Sequence, residues 1–137
     1  FLHLLAERNL TNQFVADSAG TGGWHVGKPA DRRMQAAANR RGIQLPSRAR
    51  QISLEDLMDF DLILTMDDAN FSAVRSLSNE TGGRATATIR PMLSFAKDFN
   101  ETEVPDPYYG GEAGFEHVLD LLEDSCSALL DELTAEG

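Results

Sequence analysis

The chain has one cysteine, one tryptophan, two tyrosines and three histidines among 137 residues, and each scarcity removes a class of chemistry. A lone Cys126 cannot build a disulfide framework or a cysteine-ligated zinc site, and it fits a reducing compartment. His3, His25 and His117 are scattered, with neither the i, i+4 pairing nor the acidic cluster of a metal-binding helix. No metal and no cofactor is therefore expected. Basic residues are few, 12 against 22 acidic ones, for a formal charge of −10. That balance argues against a nucleic-acid partner, because nothing offsets phosphate repulsion over a large footprint. A small phosphate site stays open, since it needs only local amides and one or two cations. No apolar run is long enough to cross a bilayer and nothing resembles a cleavable leader, so no membrane partner is expected and the cytoplasm is the expected location.

What is present is ordinary globular composition, 42% hydrophobic and 25% charged, in a length that fits a single domain over residues 1–137. Phe1 to Arg8 reads as the end of a helix with an apolar stripe through Leu2 and Leu5. Because Phe1 already stands inside that pattern, the domain is expected to be N-terminally incomplete. Phe14-Val15-Ala16 reads as a short strand, followed by the small-residue loop Asp17 to Gly23. Asp31 is placed to cap a helix through Met34, Ala37 and Ala38, with Gly42 as its stop. Ser53-Leu54-Glu55-Asp56 is a variant capping box. Asp61 to Met66 is an almost continuous apolar run, the pattern of a strand buried on both faces, and a helix through Phe71, Val74 and Leu77 follows Asp67. Thr86 to Met92 is a weaker strand near an edge, because Pro91 cannot donate to a ladder. From Phe115 to Leu133 apolar residues hold i, i+3, i+4 spacing, which predicts a long helix against a sheet. This alternation is an α/β pattern with a parallel sheet, whose site lies at the carboxyl ends of the strands. The Ser18 loop, Asp67 and the loop to Asp106 all fall there.

Several residues compete for chemistry. Cys126 lies on the apolar stripe of the last helix, where a thiol behaves as a small hydrophobe with a raised pKa. Gly20-Thr21-Gly22-Gly23 has glycines enough to cradle a phosphate but no Walker lysine or dinucleotide spacing, and a flexible loop is the better account. Arg48 and Arg50 read either as anion ligands or as a solvated basic face. Asp17 and Asp67 are weak candidates for a phosphoaspartate nucleophile, since no Asp-x-Asp pair follows a strand. The most organised stretch is Asp106-Pro107-Tyr108-Tyr109-Gly110-Gly111. Pro107 fixes its own φ and holds Asp106 extended. A carboxyl group so posed beside two phenol rings suits a general acid facing an aromatic substrate; a surface turn with half-buried tyrosines is the plainer account.

Taken in order, Asp17-Ser18, Trp24-His25-Val26-Gly27, Gly42-Ile43, Ala49-Arg50-Gln51-Ile52-Ser53, Phe60 to Asp67 and Asp106-Pro107-Tyr108-Tyr109-Gly110 resemble the low-molecular-weight protein tyrosine phosphatases along essentially the whole chain. The resemblance implies a three-layer α/β fold with a doubly wound parallel sheet of four strands, the first strand absent from this sequence. It implies hydrolysis of phosphotyrosine in a protein substrate through a cysteinyl-phosphate intermediate, with inorganic phosphate as product. Asp106 would be the general acid and base. Tyr108 and Tyr109, with Trp24 and His25, would wall the substrate cleft, while Ser18 and Asp67 would steady the phosphate loop. The family's Cys-x5-Arg loop has no counterpart here; the resemblance puts it ahead of Phe1, so these 137 residues alone are expected to be inactive. Two other readings on the same fold are an arsenate reductase, disfavoured by the absence of further redox cysteines, and a non-enzymatic module that binds phosphorylated partners, disfavoured by the retained Asp106.

Overall fold

The computed structural model describes residues 1–22, 26–46, 48–105 and 111–135. The first helix, α1 (Leu2–Glu7), buries Leu5 completely. It ends where Asn9 turns left-handed at φ 58°, a conformation that asparagine tolerates better than most residues. Helix α2 (Arg32–Arg40) starts at Asp31, whose carboxylate accepts from the Arg33 amide at 2.8 Å. It stops at Gly42, φ 74°. There the Gly42 and Ile43 amides donate back to Asn39 and Ala38 at 3.0 and 2.9 Å, the paired closing bonds of a Schellman motif.

The short helix α3 (Asp56–Asp59) follows. The expected capping box is half formed: the Asp56 carboxylate reaches back to the Ser53 amide at 2.8 Å. Strand β1 (Leu62–Thr65), helix α4 (Asp68–Glu80) and strand β2 (Thr88–Pro91) then make one βα β unit. The strands run parallel with Leu62 opposite Thr88 and Thr65 opposite Pro91. A 3-10 turn at Met92–Phe95 leads towards the long helix α5 (Gly111–Thr134). No helix among the described residues is long and apolar enough to cross a membrane.

Helix α5 organises the core. Its second half packs Cys126, Ala128 and Leu129 against Met92 and Phe95, with Phe1, Leu4, Leu62 and Leu64 beside them. Side chains alternate along a strand, so Ile63 and Thr65 point away from that cluster, and α4 also packs on both strands. Its first half packs Phe115 and Leu119 on Ala37 and Met34 of α2. Three cross-links reinforce this junction: Arg41 reaches Glu116 at 2.6 Å, Asp120 at 2.9 Å and Glu123 at 3.3 Å. Those contacts, hydrogen bonding to Glu116 first, raise the guanidinium pKa.

Two expectations need correction. Phe14-Val15-Ala16 is irregular rather than a strand. Val15 is 87% exposed, and Phe14 packs its ring edge-on to Phe1 at 6.2 Å. A strand needs a neighbour to take its backbone groups, and among the described residues β1 pairs with β2 alone. The sheet described is thus a two-stranded βαβ part of the expected four-stranded sheet. The apolar stripe of α5 is also broader than its spacing predicts, because Leu121 and Ser125 are fully buried while Leu133 is exposed.

Candidate functional site

Two groups of loops are knit together, each around a charged side chain. In the first, Gly20 lies beside Gln51 in a parallel bridge, with the Gly20 amide donating to the Arg50 carbonyl at 2.8 Å and the Ile52 amide to the Gly20 carbonyl at 2.9 Å. On its other side the 48–49 segment takes the Gly27 amide on Ala49 at 2.7 Å and gives the Ala49 amide to Lys28 at 2.8 Å. The Arg50 side chain locks this arrangement. It donates to Asp17 at 3.0 Å and to both oxygens of Asp56 at 2.9 and 3.1 Å. Asp56 is the buried member, and its hydrogen bonds to Arg50 hold its carboxyl below the usual carboxylate range. The same pairing raises the Arg50 pKa. Arg50 is therefore a structural tie within the site loops, not a cation left free for an anion, and Asp17 is its partner. Arg48 instead lines an open pocket of about 300 Å³ with Ser18, Gly20 and Lys28. Ser18 itself is exposed, its amide folded back on the Asp17 carboxylate at 2.8 Å.

The second group forms at the carboxyl end of β1. Asp67 takes an extended backbone and caps α4, accepting from the Asn70 amide at 2.7 Å. A carboxylate at a helix N-terminus satisfies an orphan amide and meets the positive end of the helix dipole. Glu103 adds a second carboxylate to the same end, accepting from the Asp68 amide at 2.9 Å. Beside it the Val104 amide donates to the Met66 carbonyl at 2.7 Å. The loop that leads to Asp106 is thereby tied to the end of β1, next to Asp67. On its other flank it meets α5. The Lys97 and Asp98 amides donate to Asp124 at 3.0 and 3.1 Å. Glu101 pairs with His117 at 2.9 Å, and Phe99 lies edge-on to the same imidazole at 5.9 Å.

Of the residues expected at the site, Asp67 and Ser18 are thus located, one as a helix cap and one in a loop tied to Arg50. Asp106, Tyr108, Tyr109, Trp24 and His25 lie outside the described residues. Cys126 is buried in the α5 core, and burial pushes its thiol pKa up. Among the described residues no group of three or more histidine, cysteine or carboxylate side chains is arranged to hold a metal ion. The contacts of Glu101, Glu103 and His117 were invisible in sequence: their partners stand 16 and 35 positions away, and no local spacing encodes such a pairing.

Comparison with known proteins places this arrangement. The family model described as low molecular weight phosphotyrosine protein phosphatase matches residues 1–137. A relative from Synechocystis is 45% identical over 130 residues, covering 95% of this chain and 82% of its own length. A low molecular weight protein-tyrosine-phosphatase of Bacillus subtilis is 39% identical over 137 residues, covering 99% of this chain and 85% of its own. A crystal structure of a protein tyrosine phosphatase from Entamoeba histolytica superposes with a TM-score of 0.90 at 37% identity, over 98% of this chain and 85% of that one.

Proposed function

The chain belongs to the low molecular weight phosphotyrosine protein phosphatase family, a class of hydrolases, and from that premise we propose that it dephosphorylates phosphotyrosine in protein substrates with Asp106 as its general acid and base. The observation that carries the reading is the tie between Val104 and Met66, which brings the loop to Asp106 alongside Asp67 at the carboxyl end of a parallel strand, the expected place for a site in such a sheet.

In the proposed reaction a cysteine thiolate attacks phosphorus, forming the S–P bond as the bond to the tyrosyl oxygen breaks. Asp106 gives its proton to that oxygen, which would otherwise leave as a basic phenolate. Asp106, now a carboxylate, takes a proton from water as the water oxygen attacks phosphorus. The S–P bond breaks, inorganic phosphate departs and the thiolate is restored. Cys126 does not fill the nucleophile's place, because a thiol desolvated in an apolar core is disfavoured as thiolate. The nucleophile's role is instead assigned to the Cys-x5-Arg loop that the family resemblance implies, which has no counterpart among these 137 residues. Trp24, His25, Tyr108 and Tyr109 are assigned to the walls of the cleft for the phosphorylated ring. Ser18 and Asp67 are assigned to the support of the phosphate loop. A free catalytic thiolate fits the reducing cytoplasm.

The test is turnover of p-nitrophenyl phosphate and a phosphotyrosine peptide by the complete gene product and its Asp106→Asn variant. We expect kcat/KM for the peptide to fall by about a hundredfold or more in the variant, within the usual range for a general acid. Unchanged turnover removes Asp106 from that role. A folded gene product with no activity on either substrate overturns the enzyme reading and leaves the binding of phosphorylated partners in its place.

A further inference from the structure

We propose that Glu103 and His117 are positioning residues for Asp106, holding the segment before it from two sides. The inference rests on the general-acid reading above. Val104 stands two residues before Asp106 in the chain, so a tie at Val104 acts on the backbone that leads directly into Asp106. Between them is Pro105, whose ring fixes its own φ and biases Val104 towards an extended backbone. Few soft torsions separate the two residues, and whatever fixes residues 101–104 limits where the carboxyl group can go.

Residues 101–104 are fixed twice. On the sheet side, the Val104 amide is bound to the Met66 carbonyl at 2.7 Å, and the Glu103 carboxylate to the Asp68 amide at 2.9 Å. These bonds sit one residue apart on the loop, so neither can slip without the other. On the α5 side, both oxygens of Glu101 lie 2.9 Å from His117 Nε2, with Phe99 against the same ring. Glu101 and Glu103 are exposed, and ordinary exposed ion pairs contribute little to stability. Their acceptors and donors nevertheless belong to the start of α4 and the body of α5, the two elements that flank the loop. The arrangement therefore acts on geometry more than on folding, and a misplaced general acid loses rate steeply with distance.

The experiment compares kcat/KM of the complete gene product on phenyl phosphate and p-nitrophenyl phosphate. Phenolate is the more basic leaving group and depends more on proton donation. Glu103→Ala is expected to lower kcat/KM roughly tenfold on phenyl phosphate and no more than about twofold on p-nitrophenyl phosphate. Glu103→Gln keeps an oxygen that accepts from the Asp68 amide and should restore most of the difference, which separates positioning from loss of charge. Adding His117→Ala to Glu103→Ala should widen the gap between the substrates. Equal losses on both substrates, or none, overturn the proposal for Glu103, and a double variant indistinguishable from Glu103→Ala overturns it for His117. Asp106→Asn is the control. If it raises leaving-group dependence while Glu103→Ala does not, the positioning idea alone fails; if Asp106→Asn has no such effect, the general-acid reading fails and the positioning idea with it.

Discussion

The helical back of the molecule and its loop face are held together by different physics. Around α5, Leu121 and Leu130 are entirely buried, and Cys126, Leu129, Met92 and Phe95 form one apolar cluster with α1 and β1. On the loop face Val15 is 87% exposed; residues 17–22, 26–30 and 48–52 are joined to one another by backbone hydrogen bonds and the Arg50 carboxylate pairs, and residues 97–104 are tied in the same way to β1, α4 and α5. Apolar burial is non-directional and supplies most of the stability. Hydrogen bonds are directional and add less, but they fix where a loop points. The back stabilises the fold; the loop face sets the geometry of the site.

The sharpest test of this division is a cavity at the back. Leu130→Ala should cost about 3 kcal/mol in urea unfolding, and a loss below about 1 kcal/mol would erase the contrast. On the loop face the largest stability effect is expected from Arg50→Ala, which leaves the buried Asp56 carboxylate without its main partner, at about 1–2 kcal/mol. This difference should depend on pH. The folded-state pKa of Asp56 is held below its ordinary 3.8, first by Arg50. The stabilisation is therefore present above that value and is lost as pH falls through the lower, folded one. Unfolding curves for the protein and Arg50→Ala should converge as pH drops from about 5 towards 3; a gap that stayed constant would show that Asp56 is not its source.

Gly42→Ala probes a turn at the back that depends on backbone rather than burial. With φ at 74°, an alanine there is expected to cost about 1 kcal/mol by thermal or urea unfolding, and a neutral result would mean that the helix end relaxes. The smallest effect belongs to Val15→Ser. An apolar side chain so open to water should change stability by no more than about 0.5 kcal/mol, and a larger loss would show that the 14–16 segment is packed after all.

Periodicity and caps made most of the scaffold legible. Asp31, Gly42, Asp67 and the apolar runs of β1 and α5 each act through neighbours within a few positions, and all of these appear where their spacing predicts. Phe14-Val15-Ala16 failed because strand propensity is only a preference for a pleated, paired surface, and pairing is decided by what lies alongside. Arg50 was ambiguous for a similar reason: its role depends on Asp17, 33 positions away, and on the burial of Asp56. The candidate site was legible as a set of motifs, Asp106 and Tyr108–Tyr109 above all, but not the ties that hold its approach.

By itself the sequence determined the helices, the parallel βαβ unit and the family resemblance, because local hydrophobic period, capping chemistry and ordered motifs are all written within short windows. Only the tertiary structure decided which charges are partnered. Arg41 gathers three carboxylates from α5, Arg50 joins Asp17 to Asp56, and Glu103 reaches the first amide of α4. Such pairs join residues far apart in the chain, and they form only once packing has brought their elements within hydrogen-bonding distance.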